Sequence, residues 1–273
     1  MSDRAARIRR ARTLLFVPGA RPDRFARALS TPADVVVVDL EASVRPVEKS
    51  HARDAVRAWL PTCGSPDRIL VRINPLRSPW FDEDVQMLRA SRCGGVVLAM
   101  ANDADGVAAA IAAIPDNAPA VALIETAAGI LAAAEIARVA GVARLAFGNM
   151  DYATDTGTRG RDSTIHPSAC LVLASRAAGL PAPVAGVTAA FRDTTLLAED
   201  AAWERDQGFG AKFCVHPDQI DIVARTFAPT DDELAWARRV VAAAGDSYAC
   251  DVDGELVDRP VVERARRMLD DAG

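Results

Sequence analysis

Residues 122–137, ALIETAAGILAAAEIA, followed at 145–151 by LAFGNMD, decide the fold. Each stretch opens with a short apolar run, reaches a carboxylate at or just past its end, and meets a turn or helix-starting signal. Short apolar runs bounded in this way are the pattern of parallel strands buried on both faces. Glu125 closes the first run and Asp151 stands just past the second. In a parallel barrel the C-terminal strand ends face one mouth. Two carboxylates meeting there form the smallest hard-oxygen site for Mg²⁺.

Working outward, runs of the same kind recur along the chain: TLLFV (13–17), DVVVVDLE (34–41), RILVRIN (68–74), GGVVLAM (94–100), AVALIE (120–125), RLAFG (144–148), APVAGVT (182–188) and AKFCVHP (211–217). Helical stretches, many rich in alanine, lie between them. This alternation predicts a (β/α)8 TIM barrel, and 273 residues is a suitable length for one. An open dinucleotide-binding sheet is disfavoured, because no G-x-G-x-x-G follows the first run. The seventh run, with its Pro and Gly, reads equally as loop. Past the eighth come helical segments at about 217–226 and 231–244, then a polar stretch, AGDSYACDVDGELVD, and a last helix from Pro260 to about Ala272. The expected organisation is a barrel over residues 1–226 and a C-terminal helical extension over 227–273 that packs across the barrel or on a neighbouring subunit.

The formal net charge of -5 argues against nucleic acid as the main partner. The basic run Arg4 to Arg12 reads as a solvated leader, with a phosphate-binding arm as the other reading. Five scattered cysteines with no C-x-x-C pair fit a reducing, cytoplasmic setting. The run LLFV stops at Pro18-Gly19, too short to span a membrane.

Polar residues gather at the predicted strand ends: Asp39 and Glu41, Arg72 and Asn74, Glu125, Asp151 and His216. Charges inside apolar runs need partners. Two readings stand side by side. One is a structural layer, with Arg72 neutralising Asp39 or Glu41 and Glu125 capping the helix that begins at Thr126. The other assigns Glu125 and Asp151 to Mg²⁺ and Arg72 to a substrate carboxylate or developing enolate. His51, His166 and His216 lack zinc-ligand spacing and read as structural. Lys49 and Arg53, one turn apart, read as solvated surface charge, with an anion at the mouth as the other reading.

Taken in order, LLFVPGARPDRFARAL (14–29), VVVVDLEASVRPVEKSHAR (35–53), VRIN, ALIET, FGNMD, GFGAKFCVHPDQI (208–220) and DGELVDRP (253–260) resemble the citrate lyase β-subunit-like family of the HpcH/HpaI aldolase superfamily. The resemblance implies a trimeric or hexameric (β/α)8 barrel. It also implies Mg²⁺-dependent making or breaking of carbon–carbon bonds in short acyl-CoA thioesters of the malyl, citramalyl or citryl type, with a 2-oxo acid as co-product. On its motifs, Glu125 and Asp151 fall on the metal ligands and Arg72 on the substrate-binding arginine. Asp258 falls near an acid supplied by a neighbouring subunit. Thioester hydrolysis of the same substrates, or a non-catalytic acyl-CoA- or keto-acid-binding subunit, are the alternatives. Two positions depart from the family pattern: Ala42 stands for a carboxylate after the second strand, and Met150 stands where an acid often precedes the metal aspartate. Both lower the negative charge around the metal.

Overall fold

The computed structural model describes residues 3–244, 249–252 and 255–270. The chain divides into two compact units, Met1–Arg225 and Thr226–Gly273.

The first unit is built on eight strands: β1 (Thr13–Pro18), β2 (Val35–Asp39), β3 (Ile69–Ile73), β4 (Gly95–Leu98), β5 (Ala120–Ile124), β6 (Val142–Phe147), β7 (Val184–Ala185) and β8 (Ala211–Cys214). They pair in sequence order, and β8 returns to β1, so the parallel sheet closes into the expected barrel. All eight predicted runs contain a strand, but their ends differ from the sequence reading. β2 stops at Asp39 because that carboxylate accepts the backbone N–H groups of Glu41 and Ser43, turning the chain. β7 shrinks to two residues between Pro183 and Gly186, where the ladder loses a donor.

Successive strand residues point to opposite faces. Val35 and Val37, Leu70, Val97, Val121 and Leu123, Val184 and Phe213 fill the barrel interior. Continuing the period of two, Asp39, Arg72 and Glu125 occupy the interior-facing positions at the C-terminal ends of β2, β3 and β5.

The basic N-terminal run is not a solvated leader. It forms a helix, Asp3–Arg10, whose Ile8 is 1% exposed and packs among the interior side chains. Arg144, buried on β6, holds this helix: Nη1 donates to the carbonyls of Ile8 (3.1 Å) and Ala11 (2.6 Å), and Nε donates to Ala182 (2.7 Å). The run therefore forms the floor of the barrel, and its arginines reach outward to backbone carbonyls such as those of Cys93 and Gly179. Lys49 and Arg53 are likewise buried, contrary to their reading as surface charge. Lys49 donates to the carbonyls of Leu40 and Glu41 and lies over Trp80. Arg53 pairs with Glu83 and Asp84.

In the second unit, helix Asp231–Ala244 and helix Arg259–Asp270 enclose a small core of Ala237, Val240, Ala244, Val257, Val262 and Ala265. The stretch read as merely polar contains an antiparallel pair, β9 (Ala249–Val252) with β10 (Glu255–Asp258). Among the described residues no helix is long and apolar enough to cross a membrane.

Replacing Arg144 by Met should leave buried carbonyls of the floor without their donor and lower stability by about 2–4 kcal/mol. Urea denaturation measures this, and an unchanged midpoint would show that the floor does not depend on the guanidinium.

Candidate active site

The mouth is organised by a pair set in the sheet register. Asp39 and Arg72 are direct partners on β2 and β3. Their side chains share the interior face and meet in a bidentate ion pair, Nε to Oδ1 and Nη2 to Oδ2, each 2.7 Å. Burial works against the Asp39 charge, but the Arg72 hydrogen bonds and charge, aided by the Ser43 and Glu41 N–H groups, bring its pKa below the usual range. Burial opposes the Arg72 charge as well, and Asp39 outweighs it, so the guanidinium stays charged. Arg72 lies over the Phe16 ring at 4.7 Å, and Phe16 packs on Phe213. Its Nη1 faces Glu41 at 3.5 Å.

Glu125 lies one residue past β5 and is 2% exposed. Oε1 accepts the backbone N–H of Met100 at 2.7 Å. Met100, two residues past β4, presents that N–H with a positive φ of 53°. Oε2 accepts no hydrogen bond from any described residue. Burial, with repulsion from Asp151 and Glu41, pushes the Glu125 pKa up to about 8 despite the Met100 N–H and Arg72. Glu125 does not cap the following helix. Thr126 does so itself, accepting Gly129 N–H at 3.1 Å.

Asp151 sits in the first turn of helix Asn149–Thr156, exposed. Gly148 precedes the helix and presses on Glu125: a Cβ there would lie 2.4 Å from Glu125 Cβ and 2.6 Å from Oε2. Only a glycine lets β6 deliver Asp151 so close to the β5 carboxylate. Asp39, Arg72, Glu125 and Asp151 line one cavity of about 430 Å³, whose walls include Phe16, Leu123, Phe147, Met150, Phe213 and Val215. Ala42 also lines it.

The donor set suits a hard divalent cation. Glu125 presents an oxygen without a partner, and Asp151 adds a second carboxylate from the neighbouring strand end. No group of three or more His, Cys, Asp or Glu positioned for a metal occurs among the described residues. Mg²⁺ commonly takes one or two protein carboxylates and keeps several waters.

The remaining candidates lie elsewhere or serve the backbone. His216 accepts the Asp218 N–H and stacks on Phe191, as a structural residue would. Asn74 binds the Leu40 carbonyl and the buried Asp84. Asp258 ends β10 in the second unit, where its Oδ1 accepts Val261 N–H at the start of the last helix. Met100, Gly148 and Asn149 escaped the sequence reading as site-builders. The last two lay within the FGNMD motif, where only the acid had drawn notice.

Barrel closure and a carboxylate-lined C-terminal mouth define a TIM-barrel protein of the enzyme kind. Comparison with known proteins narrows that class: residues 12–217 match the HpcH/HpaI aldolase/citrate lyase family, and the chain belongs to that family. It is 34% identical to a citrate lyase subunit beta-like protein of Deinococcus radiodurans, over 94% of this chain and 96% of that one. It is also 34% identical to a (3S)-malyl-CoA thioesterase of Cereibacter sphaeroides, over 94% of this chain and 93% of that one. The crystal structure of CitE from Mycobacterium tuberculosis, in complex with magnesium, acetoacetate and coenzyme A, superposes with a TM-score of 0.84. That match has 33% identity and covers 96% of this chain and 98% of that one.

The raised Glu125 pKa has a signed consequence. Between the ordinary value of 4.5 and about 8, the folded protein holds a proton that the unfolded chain releases. In metal-free protein this group's contribution to stability is therefore full below pH 4.5 and is lost as pH rises through 8. Denaturant titrations from pH 5 to 8.5 should show a decline that is shallower in Glu125→Gln. Parallel profiles would contradict the assignment.

Proposed function

We propose that the protein is a Mg²⁺-dependent carbon–carbon lyase acting on a short 3-hydroxyacyl-CoA thioester of the citramalyl, malyl or citryl type. The products would be acetyl-CoA and a 2-oxo acid. The observation that supports this most is the mouth itself, where Glu125 with its open oxygen, Asp151 and a permanently charged Arg72 line one largely apolar cavity. The family membership and the magnesium, acetoacetate and coenzyme A bound by the related CitE support the same chemistry.

Cleavage breaks the bond between C2 and the hydroxyl-bearing C3. The hydroxyl gives up its proton, its oxygen becomes the carbonyl of the oxo acid, and the carbon–carbon electron pair passes onto the thioester as an enolate. A proton then returns to carbon. Glu125 and Asp151 would hold Mg²⁺, which supplies Lewis-acid polarisation and a template for the hydroxy acid. Asp39 engages Nε and Nη2 of Arg72 and Glu41 stands 3.5 Å from Nη1, so Nη1, which carries two N–H groups, is the atom that would donate to the oxo-acid carboxylate or the enolate oxygen. The aromatic wall of Phe16 and Phe213 excludes water from that donor and strengthens it. Asp258, supplied by a neighbouring subunit of a homo-oligomer, would return the proton.

Thioester hydrolysis is the second reading, favoured by the relative named (3S)-malyl-CoA thioesterase. The two differ in products: acetyl-CoA with an oxo acid, or free CoA with the hydroxy acid.

Incubation with citramalyl-CoA and malyl-CoA should give acetyl-CoA in the presence of Mg²⁺ and none with EDTA, followed by chromatography of the thioesters. EDTA-resistant cleavage, or activity retained in Glu125→Ala, would remove the metal from the reaction. Arg72→Ala should reduce turnover by about 10²–10³-fold, measured beside the thermal stability of the variant, because Asp39 loses its partner. Free CoA as the first product would favour the hydrolase.

A further inference from the structure

Asp151 is exposed, and its side chain forms no hydrogen bond or ion pair with any described residue. A carboxylate in that condition binds a cation well only if the backbone beneath it is held still. The structure shows what holds it. Asn149 opens the helix, and its side-chain amide meets the backbone of Val187 twice: Oδ1 accepts Val187 N–H at 2.9 Å, and Nδ2 donates to the Val187 carbonyl at 3.0 Å. An amide is the side-chain group that offers a donor and an acceptor in one plane, as a peptide unit does. It appears where the sheet needs it, because β6 and β7 pair through a single register step, Ala146 with Val184. The Asn149 amide supplies the contact between these two segments beyond the point where the ladder ends.

The segment it grips is itself fixed. Lys212, fully buried on β8, donates to the Gly186 carbonyl at 3.0 Å and to both Glu204 oxygens at 2.7 Å. Gly186 lies so close to Asn149 that a Cβ there would fall 2.0 Å from Oδ1. At the far end of the same helix, Asp155 accepts the N–H of Ala127 at 2.8 Å. Gly148 on one side and Val187 on the other thus confine the single turn that presents Asp151.

Resting on the reading of Glu125 and Asp151 as metal ligands, we propose that Asn149 is a positioning residue: its two-point grip on Val187 fixes Asp151 beside Glu125 and so sets the affinity for Mg²⁺. Partners that orient a metal ligand are commonly worth about 10–100-fold in affinity.

The test is Mg²⁺ binding to the full-length protein by isothermal titration calorimetry, with no substrate present. Asn149→Ala should weaken binding at least tenfold, while turnover at saturating Mg²⁺ falls much less than turnover at limiting Mg²⁺. Gly186→Ala, which drives the amide away from the opposite side, should produce the same weakening. In the Asn149→Ala background the amide that would meet the new Cβ at 2.0–2.4 Å is gone and only the Cβ of residue 149, 2.9 Å away, remains, so Gly186→Ala should add less than it does alone, a non-additivity expected of coupled neighbours. A purely structural Asn149 would lower the thermal midpoint and leave the Mg²⁺ constant unchanged, and that result overturns the proposal. Should Asn149→Ala fail to fold, Gly186→Ala alone decides, with unchanged Mg²⁺ affinity as the overturning result. If the unmodified protein itself takes up no Mg²⁺, the metal reading fails, and the inference fails with it.

Discussion

Everything at the mouth depends on the pair of parallel hydrogen bonds between Arg72 and Asp39. A guanidinium on the inner face of a closed barrel is stable only beside a carboxylate that can match its fork, because an unpaired buried charge costs several kcal/mol. Parallel register supplies the match: the two residues are partners on adjacent strands, and period-two alternation turns both inward. The pair then shapes what surrounds it. Each Asp39 oxygen also takes a backbone N–H from the loop after β2, so the same carboxylate ends the strand and anchors the turn. Arg72 is left with one side committed to Asp39 and with Nη1 3.5 Å from Glu41.

Set against this pair, Glu125 shows how alike two buried carboxylates can be in location and how unlike in chemistry. Both stand at strand ends on the inner face. Asp39, with a matched cation, has its pKa lowered. Glu125 has one backbone N–H, a distant share of Arg72 and two acidic neighbours, so its pKa rises to about 8. Neighbouring groups pushed in opposite directions mark a division of labour. Of the structural reading made at the level of sequence, the Arg72–Asp39 pairing is present and the Glu125 helix cap is not. Glu125 is the acid left without a matched partner.

What could be read from the sequence was local. Eight apolar runs, a helix starting near Pro260 and acids at run ends are properties of short windows, and short windows reveal them. The floor of the barrel could not be read that way. Arg4 to Arg12 is basic in any window, and the burial of its Ile8 and Ala11 follows from Arg144, more than a hundred residues away, donating to their carbonyls. The buried state of Lys49 and Arg53 depends in the same way on Trp80, Glu83 and Asp84, which arrive from the next helix. The β9–β10 pair was legible in principle, since Asp253-Gly254 is a favoured hairpin dipeptide, but the surrounding polar residues masked the alternation. Asn149 was hidden by its neighbour: FGNMD displays an aspartate that suggests a metal, and the asparagine beside it has meaning only once Val187 is known to face it.

The two departures that the sequence resemblance implies, at Ala42 and Met150, would act on opposite sides of one balance. An acid in place of Ala42 or Met150 would add attraction for a cation in the cavity that both residues line. It would also repel Glu125, raising a pKa already near 8 and strengthening the proton's hold on the same oxygen. A proton carries one charge and Mg²⁺ carries two, so the attraction forfeited is larger for the metal than for its competitor. With Glu125 and Asp151 as ligands, as proposed, the net effect would be a site that binds Mg²⁺ less tightly and leans more on its geometry. That would make the confinement of Asp151 between Gly148 and Val187 matter more in this chain than in one with a further acid there. Met150 adds a second consequence. It lines the central cavity and a smaller one beside it, 53% exposed, giving their common wall an apolar surface. On the proposed reading, an acyl group with an alkyl branch would fit such a wall better than one with a further carboxylate.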